Sequence, residues 1–129
     1  MTVKRVDPKE AKALMDQGWT YVDVRTEAEF EGGHPAGSIN VPMNDPDFLP
    51  VMRERFGPDD GVIIGCMVGG RSAHACRLLA ANGFEKLVDQ TGGWGGQRDE
   101  QGQLVVPGWE QEQLPTGGGL RFADLLKTL

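Results

Sequence analysis

Residues 61–72 read GVIIGCMVGGRS, and this stretch decides the fold. A short apolar run bounded by glycine is typical of a central strand in a parallel sheet that is covered on both faces. The run ends at Cys66. Four residues separate Cys66 from Arg71, and a helical pattern follows from Ser72. Ligands of open α/β sheets bind beyond the carboxyl ends of the strands. The position of Cys66 after this strand therefore marks it as a candidate functional residue.

The rest of the chain alternates between strand and helix patterns. Asp7 before Pro8 predicts the start of a first helix, Thr26 predicts the start of a short second one, and Gly83 predicts the end of a helix over 72–82. Residues 47–56 predict a further amphipathic helix, with Phe48, Val51, Met52 and Arg55 at helical spacing. The predicted strands are residues 3–6, 19–24, 38–41, 61–65 and 86–88. This alternation predicts an α/β fold with a central parallel sheet.

The loop after Cys66 has the composition of an anion cradle. Gly69 and Gly70 permit backbone conformations that are closed to other residues, so successive N–H groups can converge on one point. The helix that follows adds its positive end. Only the thiolate of a cysteine is a nucleophile, and a free thiol has a pKa of about 8.5, so such donors favour the reactive form. We therefore predict Cys66 as the nucleophile, without a dedicated base. The predicted anion-binding loop is Met67, Val68, Gly69, Gly70, Arg71 and Ser72.

The composition excludes several classes of function. The chain has 129 residues and a formal net charge of −6, which is unfavourable for binding nucleic acid or an anionic membrane surface. It has no apolar run of membrane-spanning length, and its first residues lack the apolar part of a secretory signal, so we expect a cytoplasmic protein. Two cysteines are too few for a disulfide framework. Neither histidine belongs to a metal-like cluster, and we expect no metal and no cofactor.

Three other residues are assigned structural positions. Cys76 shares a helix face with apolar residues and is predicted to be buried and inert. His74 is predicted to face solvent on that helix. His34 is predicted to hold its turn through a hydrogen bond of the ring.

Two motifs resemble those of the rhodanese family. The active loop of that family has the pattern C-x-x-G-x-R-S, which Cys66, Gly69, Arg71 and Ser72 satisfy. The segment YVDVRTEAEFEGGHPAGSINVP, residues 21–42, is similar to its upstream signature, and the resemblance covers about residues 3–115. It implies a three-layer fold with helices on both faces of the parallel sheet. It also implies a thiosulfate sulfurtransferase that transfers sulfur from a small donor to a thiol or cyanide through a persulfide on Cys66.

The same resemblance implies roles for residues outside the loop. One interpretation of Asp23 and Arg25 is a surface ion pair, which would contribute under about 1 kcal/mol to stability. By analogy with the family they brace the active loop, and Glu29 is a weaker candidate for the same role. Met67 and Val68 stand where several thiosulfate-using members have basic residues. Arg71 is then the only cation of the loop, and thiosulfate is expected to be a poor donor.

The C-terminal part departs from the family pattern. A predicted insertion at about residues 94–107 contains a possible strand at 104–106 beside a turn. We divide the chain into a rhodanese domain, residues 1–115, and a tail, residues 116–129, with a flexible glycine hinge and a short amphipathic helix. The apolar stripe of this helix is Leu120, Phe122, Leu125, Leu126 and Leu129. We expect this stripe, Trp94 and Trp109 to pack on the body of the protein, with docking on a partner or a second copy as the alternative.

Two alternatives to a general sulfurtransferase stay open. One is a non-enzymatic sulfur-relay or docking module that passes its persulfide to a single protein acceptor. The other is a rhodanese-like phosphatase or arsenate reductase, a class whose loop has five residues between Cys and Arg. The loop here has four, which favours sulfur chemistry because a tetrahedral oxyanion needs a wider ring of donors. We expect a monomer.

Overall fold

Five short strands form a sheet in which every pairing is parallel. The computed structural model describes residues 3–127. The strands are β1 (Lys4–Val6), β2 (Thr20–Asp23), β3 (Ile39–Asn40), β4 (Val62–Gly65) and β5 (Leu87–Gln90). They lie in the order β1-β5-β4-β2-β3. This confirms the predicted parallel α/β sheet, with β4 at its centre and β1 at an edge. The residues that follow β4 are therefore flanked by the ends of β2 and β5.

Five helices and a hairpin complete the described chain. The helices are α1 (Pro8–Asp16), α2 (Glu27–Glu31), α3 (Phe48–Arg55), α4 (Gly70–Ala81) and α5 (Phe122–Leu126). Asp7 and Thr26 begin α1 and α2, as predicted. The structure adds that each forms a reciprocal capping box, Asp7 with Glu10 and Thr26 with Glu29. The helix predicted from Ser72 begins two residues earlier, at Gly70. The turn that precedes it is made by Gly69 alone, which has φ +121°. Arg55 is exposed and does not join the apolar face of α3.

The two faces of the sheet bury two separate apolar clusters. Successive side chains of a strand point to opposite faces, and Ile64 of β4 belongs to one cluster while Ile63 belongs to the other. The first cluster includes buried residues of α3, α4 and α5. The second contains Ala11 of α1 and the fully buried Trp109. Helices therefore cover both faces, and the three-layer arrangement is confirmed.

The predicted insertion forms an antiparallel hairpin, β6 (Gln97–Arg98) and β7 (Leu104–Val106). The strand predicted at 104–106 is therefore confirmed. Trp94 and Trp109 both pack against the second cluster, as expected. The hairpin is not part of the central sheet.

The segment predicted as a flexible joint, residues 116–119, is hydrogen-bonded to the body of the protein. The Gly117 N–H donates to the His34 carbonyl at 3.2 Å, and the Leu120 N–H donates to the Ser38 carbonyl at 3.1 Å. Phe122 and Leu125 of α5 are buried in the first cluster, whereas Leu120 and Leu126 are exposed. Leu129 lies outside the described residues. The predicted stripe is thus only partly buried, and the division of the chain at residue 115 stays a prediction.

Candidate active site

Cys66 lies directly after the central strand and is 2% exposed. Its Sγ accepts a hydrogen bond from the Gly69 N–H at 3.0 Å. Gly70, Arg71 and Ser72 form the first turn of α4, whose N–H groups have no acceptor within the helix. The sulfur therefore lies beside one amide donor and close in sequence to a helix N-terminus, a setting that stabilises an anion.

The two loop glycines differ in conformation. Gly69 has φ +121°, in a region that side-chain-bearing residues rarely adopt, whereas Gly70 is the first residue of α4 and has no such φ. Of the two glycines that permit such conformations, only Gly69 adopts one. A single turn at Gly69 suffices to direct an N–H at Cys66 and to start the helix. Met67 is half-buried, and Val68 is exposed.

Arg71 is bound to Glu29 rather than free in the loop. Nη1 and Nη2 donate to the two carboxylate oxygens of Glu29 at 2.8 and 2.9 Å. The hydrogen bond from this guanidinium lowers the pKa of Glu29 from 4.5 to about 2. The capping box of α2 holds the same carboxylate at the Thr26 N–H. The pair thus connects the start of α4 to the start of α2.

Asp23 and Arg25 form a buried ion pair, so the alternative of a surface pair is wrong. Their side chains are 2% and 1% exposed, and Arg25 Nη2 donates to Asp23 at 2.7 Å and to the Gly33 carbonyl at 2.6 Å. The Arg25 guanidinium also lies 5.6 Å from the ring of Trp94. Asn40 donates to the carbonyls of Asp23 and Arg25. This network lies at the end of β2, next to the end of β4 that leads to Cys66.

Ser72 makes a contact that connects the loop to β5. Its hydroxyl lies 2.6 Å from Asp89 Oδ1 and 3.0 Å from the Gly69 carbonyl. Burial raises the pKa of Asp89 above its ordinary value, although the Ser72 hydrogen bond opposes the shift. Arg5 of β1 lies 3.6 Å from the same carboxylate and is a second cation near the loop. Sequence reasoning missed Asp89 and Arg5, because nothing in their local sequence indicates which residues the neighbouring strands bring there.

Sequence reasoning also missed a second group, Tyr21, Gln90 and Gly93, which contacts the Cys66 backbone through Gly93. The Tyr21 hydroxyl donates to Gln90, and Gln90 Nε2 donates to the Gly93 carbonyl at 2.9 Å. Gly93 packs so closely on the Cys66 carbonyl that a Cβ there would lie 2.2 Å from its oxygen. The Trp94 N–H donates to that same carbonyl at 2.7 Å. The pair Gly92–Gly93 was visible in the sequence as a match to the family, but its contact with Cys66 was not.

The other cysteine and the histidines have structural positions. Cys76 is buried, and removal from water raises the pKa of its thiol from 9.0 to about 12. This confirms that Cys76 is a core residue. The His34 ring binds the Phe30 carbonyl at 2.6 Å and also the Gly118 carbonyl, which confirms that it holds its turn and shows that it holds the tail as well. His74 is exposed, as predicted.

Comparison with known proteins now decides the family. The sequence model of the rhodanese-like domain matches residues 7–99. The chain belongs to the rhodanese-like domain family. This rhodanese-like chain is 38% identical over 115 residues to thiosulfate sulfurtransferase 16, chloroplastic, of Arabidopsis thaliana, covering 82% of this chain and 86% of that protein. It is 33% identical over 92 residues to thiosulfate sulfurtransferase GlpE of Pseudomonas fluorescens, covering 70% and 81%.

Solved structures agree with the rhodanese-like fold. The crystal structure of Rv0390 from M. tuberculosis superposes with a TM-score of 0.76 at 25% identity, covering 92% of this chain and all of that one. A rhodanese-like domain protein from Staphylococcus aureus superposes with a TM-score of 0.61 at 30% identity, covering 70% and 87%. Within residues 3–127, none of the helices has the length and apolar character needed to cross a membrane. The cytoplasmic location stays a prediction, since some relatives are named as chloroplastic.

Proposed function

We propose that this protein is a sulfurtransferase that carries sulfane sulfur as a persulfide on Cys66. The observation that carries the proposal is the Gly69 N–H, which donates to the Cys66 Sγ at 3.0 Å beside the first turn of α4. A donor at this position stabilises negative charge on the thiolate before the reaction and on the persulfide after it. Relatives named thiosulfate sulfurtransferase support the same chemistry.

The proposed reaction has two displacement steps. The Cys66 thiolate attacks the outer sulfur of thiosulfate or of a small persulfide, the S–S bond of the donor breaks, and sulfite or a thiolate leaves with the electron pair. Cys66 is then a persulfide. In the second step a thiolate or cyanide attacks its outer sulfur, and the Cys66 thiolate is regenerated. The exchange needs no cofactor and no metal, because each step is a nucleophilic substitution at sulfur.

Arg71 contributes charge and stiffness to this site. Both of its Nη atoms already bind Glu29, so an anionic donor meets only the remaining N–H groups of the guanidinium. The ion pair also holds the start of α4, and with it the loop. Arg71 therefore contributes only weakly to recognition of the sulfonate part of thiosulfate, and a low-molecular-weight persulfide is the donor that we favour.

A protein acceptor is the second candidate, and the exposed apolar side chain of the loop favours it. Val68 is 46% exposed within the active loop itself, and Leu104 and Val105 of the hairpin are exposed as well. A small inorganic acceptor does not require apolar surface, whereas a protein acceptor would bury it. In this reading the domain is a relay that transfers its persulfide to one partner and reacts slowly with cyanide.

The test is the mass of the intact protein after incubation with thiosulfate or glutathione persulfide, followed by cyanide. We expect one added sulfur atom on the native protein and on Cys76→Ser, none on Cys66→Ser, and its release as thiocyanate. Loading that resists cyanide but is removed by a protein thiol supports the relay. Absence of the adduct with both donors, together with Cys66-dependent turnover of a phosphate ester or of arsenate, would overturn the proposal in favour of the phosphatase or arsenate reductase class.

A further inference from the structure

The predicted insertion, residues 94–107, is hydrogen-bonded to the first three residues of the active loop, residues 66–68. The Trp94 N–H donates to the Cys66 carbonyl at 2.7 Å, and the Gly95 N–H donates to the Met67 carbonyl at 2.9 Å. The third contact comes from a side chain, since Gln97 Nε2 donates to the Val68 carbonyl at 2.8 Å. Three successive carbonyls of the loop are therefore held by residues 94–97.

The third contact fixes the peptide that provides the donor to sulfur. Within residues 3–127 all peptide bonds are trans, and in a trans peptide the C=O and N–H groups point in opposite directions. The Val68 carbonyl accepts from Gln97, and the N–H of the same peptide, that of Gly69, donates to the Cys66 Sγ. Rotation of this peptide plane would break both hydrogen bonds together.

This peptide needs such a restraint because of the residue that follows it. Gly69 has φ +121° and no side chain to restrict its backbone, so alternative orientations of the peptide cost little. The carbonyls of Cys66 and Met67 are held by backbone N–H groups, which a substitution leaves in place. The Val68 carbonyl depends on one side chain, which is half-buried and belongs to the hairpin.

We propose that Gln97 is a positioning residue for Cys66: it holds the Val68 carbonyl and thereby keeps the Gly69 N–H directed at the sulfur. The inference rests on the proposed function in one respect: that the protein uses the Cys66 thiolate to transfer sulfur. The hairpin thus has a role in the reactivity of Cys66, exerted through the Val68–Gly69 peptide.

The test measures the rate of alkylation of Cys66 by iodoacetamide against pH, with the product located by mass. This readout needs no sulfur donor. In Gln97→Met the side chain keeps its length and loses its donor, and we expect the profile to move to higher pH. The rate at neutral pH should fall by about tenfold, the size expected for loss of one hydrogen bond to a charged group. In Gln97→Glu a carboxylate replaces the amide, and we expect a larger shift, because the added negative charge also disfavours the thiolate. Gln97→Met adds no charge and is therefore the diagnostic variant.

Gln103→Met is the matched control. Gln103 lies in the same hairpin and is exposed, and its backbone bonds to Asp99 do not involve its side chain. We expect its alkylation profile to equal that of the native protein. The charged groups around the loop, Arg71 with Glu29 and Arg5 with Asp89, are unchanged in every variant. A shift in Gln97→Met that is absent from Gln103→Met therefore reports the orientation of the Gly69 N–H.

The outcomes separate this proposal from the proposed function. An unchanged profile in Gln97→Met, or an equal shift in Gln103→Met, would overturn the role of Gln97, even if the native protein forms a persulfide. A shifted profile in Gln97→Met supports the positioning role, even if no donor loads sulfur on Cys66. In that second case only the sulfurtransferase proposal fails.

Discussion

Gly69 and Gly70 are neighbours in the sequence but differ in what their positions require. Gly69 has φ +121°, and a Cβ there would lie 3.3 Å from Gln97 Nε2. Gly70 is helical, and a Cβ there would meet no atom within 4 Å. Only the first of these positions is closed to alanine by backbone strain.

We therefore expect Gly69→Ala to lower the free energy of unfolding by about 1–3 kcal/mol, the usual cost of such strain. The substitution should also slow the alkylation of Cys66, because relief of the strain moves the N–H away from the sulfur. Urea unfolding and the alkylation rate measure the two effects. Gly70→Ala is the control: it should leave the alkylation rate unchanged and should raise the free energy of unfolding by up to about 1 kcal/mol, because alanine fits this helical position. Equal losses in the two variants would contradict the assigned conformations.

The ion pair between Glu29 and Arg71 predicts a pH dependence of stability. The pKa of Glu29 in the folded protein is about 2, below its ordinary value of 4.5. The pair therefore stabilises the fold fully above 4.5, and this contribution is lost as the pH falls through 2. Since both side chains are partly exposed, its size is at most about 1 kcal/mol.

Comparison of the native protein with Glu29→Gln by urea unfolding tests this dependence. The difference in the free energy of unfolding should be largest near neutral pH and should shrink between pH 4.5 and 2. A difference that stays constant across that range would show that Glu29 acts through packing and not through its charge.

At the scale of the elements, helix starts were among the features that the sequence predicted well. Asp7 and Thr26 stand three residues before Glu10 and Glu29, and both pairs form capping boxes. Asp47 also precedes a helix, yet its side chain makes no capping hydrogen bond. Spacing thus predicts where a helix begins more reliably than it predicts what the cap contributes.

This difference between two aspartates gives a matched pair of substitutions. We expect Asp7→Ala to lower the free energy of unfolding by about 1 kcal/mol, because it leaves the Glu10 N–H without its acceptor. Asp47→Ala should change it by less than about 0.5 kcal/mol. Chemical denaturation of both variants checks the order, and a larger loss in Asp47→Ala would contradict the structure.

At the scale of the whole molecule, the tail completes one face of the core. Residues 116–120 bind residues 34–40, and α5 then places Phe122 and Leu125 in the same cluster as β2 and β4. The three glycines of this segment predicted a hinge, because a glycine-rich backbone has many accessible conformations. Hydrogen bonds to a distant segment remove that freedom, and composition carries no information about them.

Leu125 and Leu126 test how far the tail contributes to the stability of the whole protein. Leu125 is 1% exposed and Leu126 is 39% exposed. We expect Leu125→Ala to lower the free energy of unfolding by about 2–5 kcal/mol and Leu126→Ala by less than about 0.5 kcal/mol. Thermal unfolding should show one transition in each variant. A separate early transition in Leu125→Ala would support a tail that folds independently of residues 1–115.

The sequence alone determined the order of the strands and helices of the central sheet, its parallel pairing and the position of Cys66 at the end of its central strand, but not strand β6 of the hairpin. These properties follow from local signals, namely apolar periodicity, caps and glycine stops, and from a motif contained in seven residues. Only the tertiary structure decided which distant groups meet at that motif. Arg71 binds Glu29, Ser72 binds Asp89, and Gln97 binds the Val68 carbonyl. Such contacts depend on the register and crossing of elements far apart in the chain, and no local pattern records them.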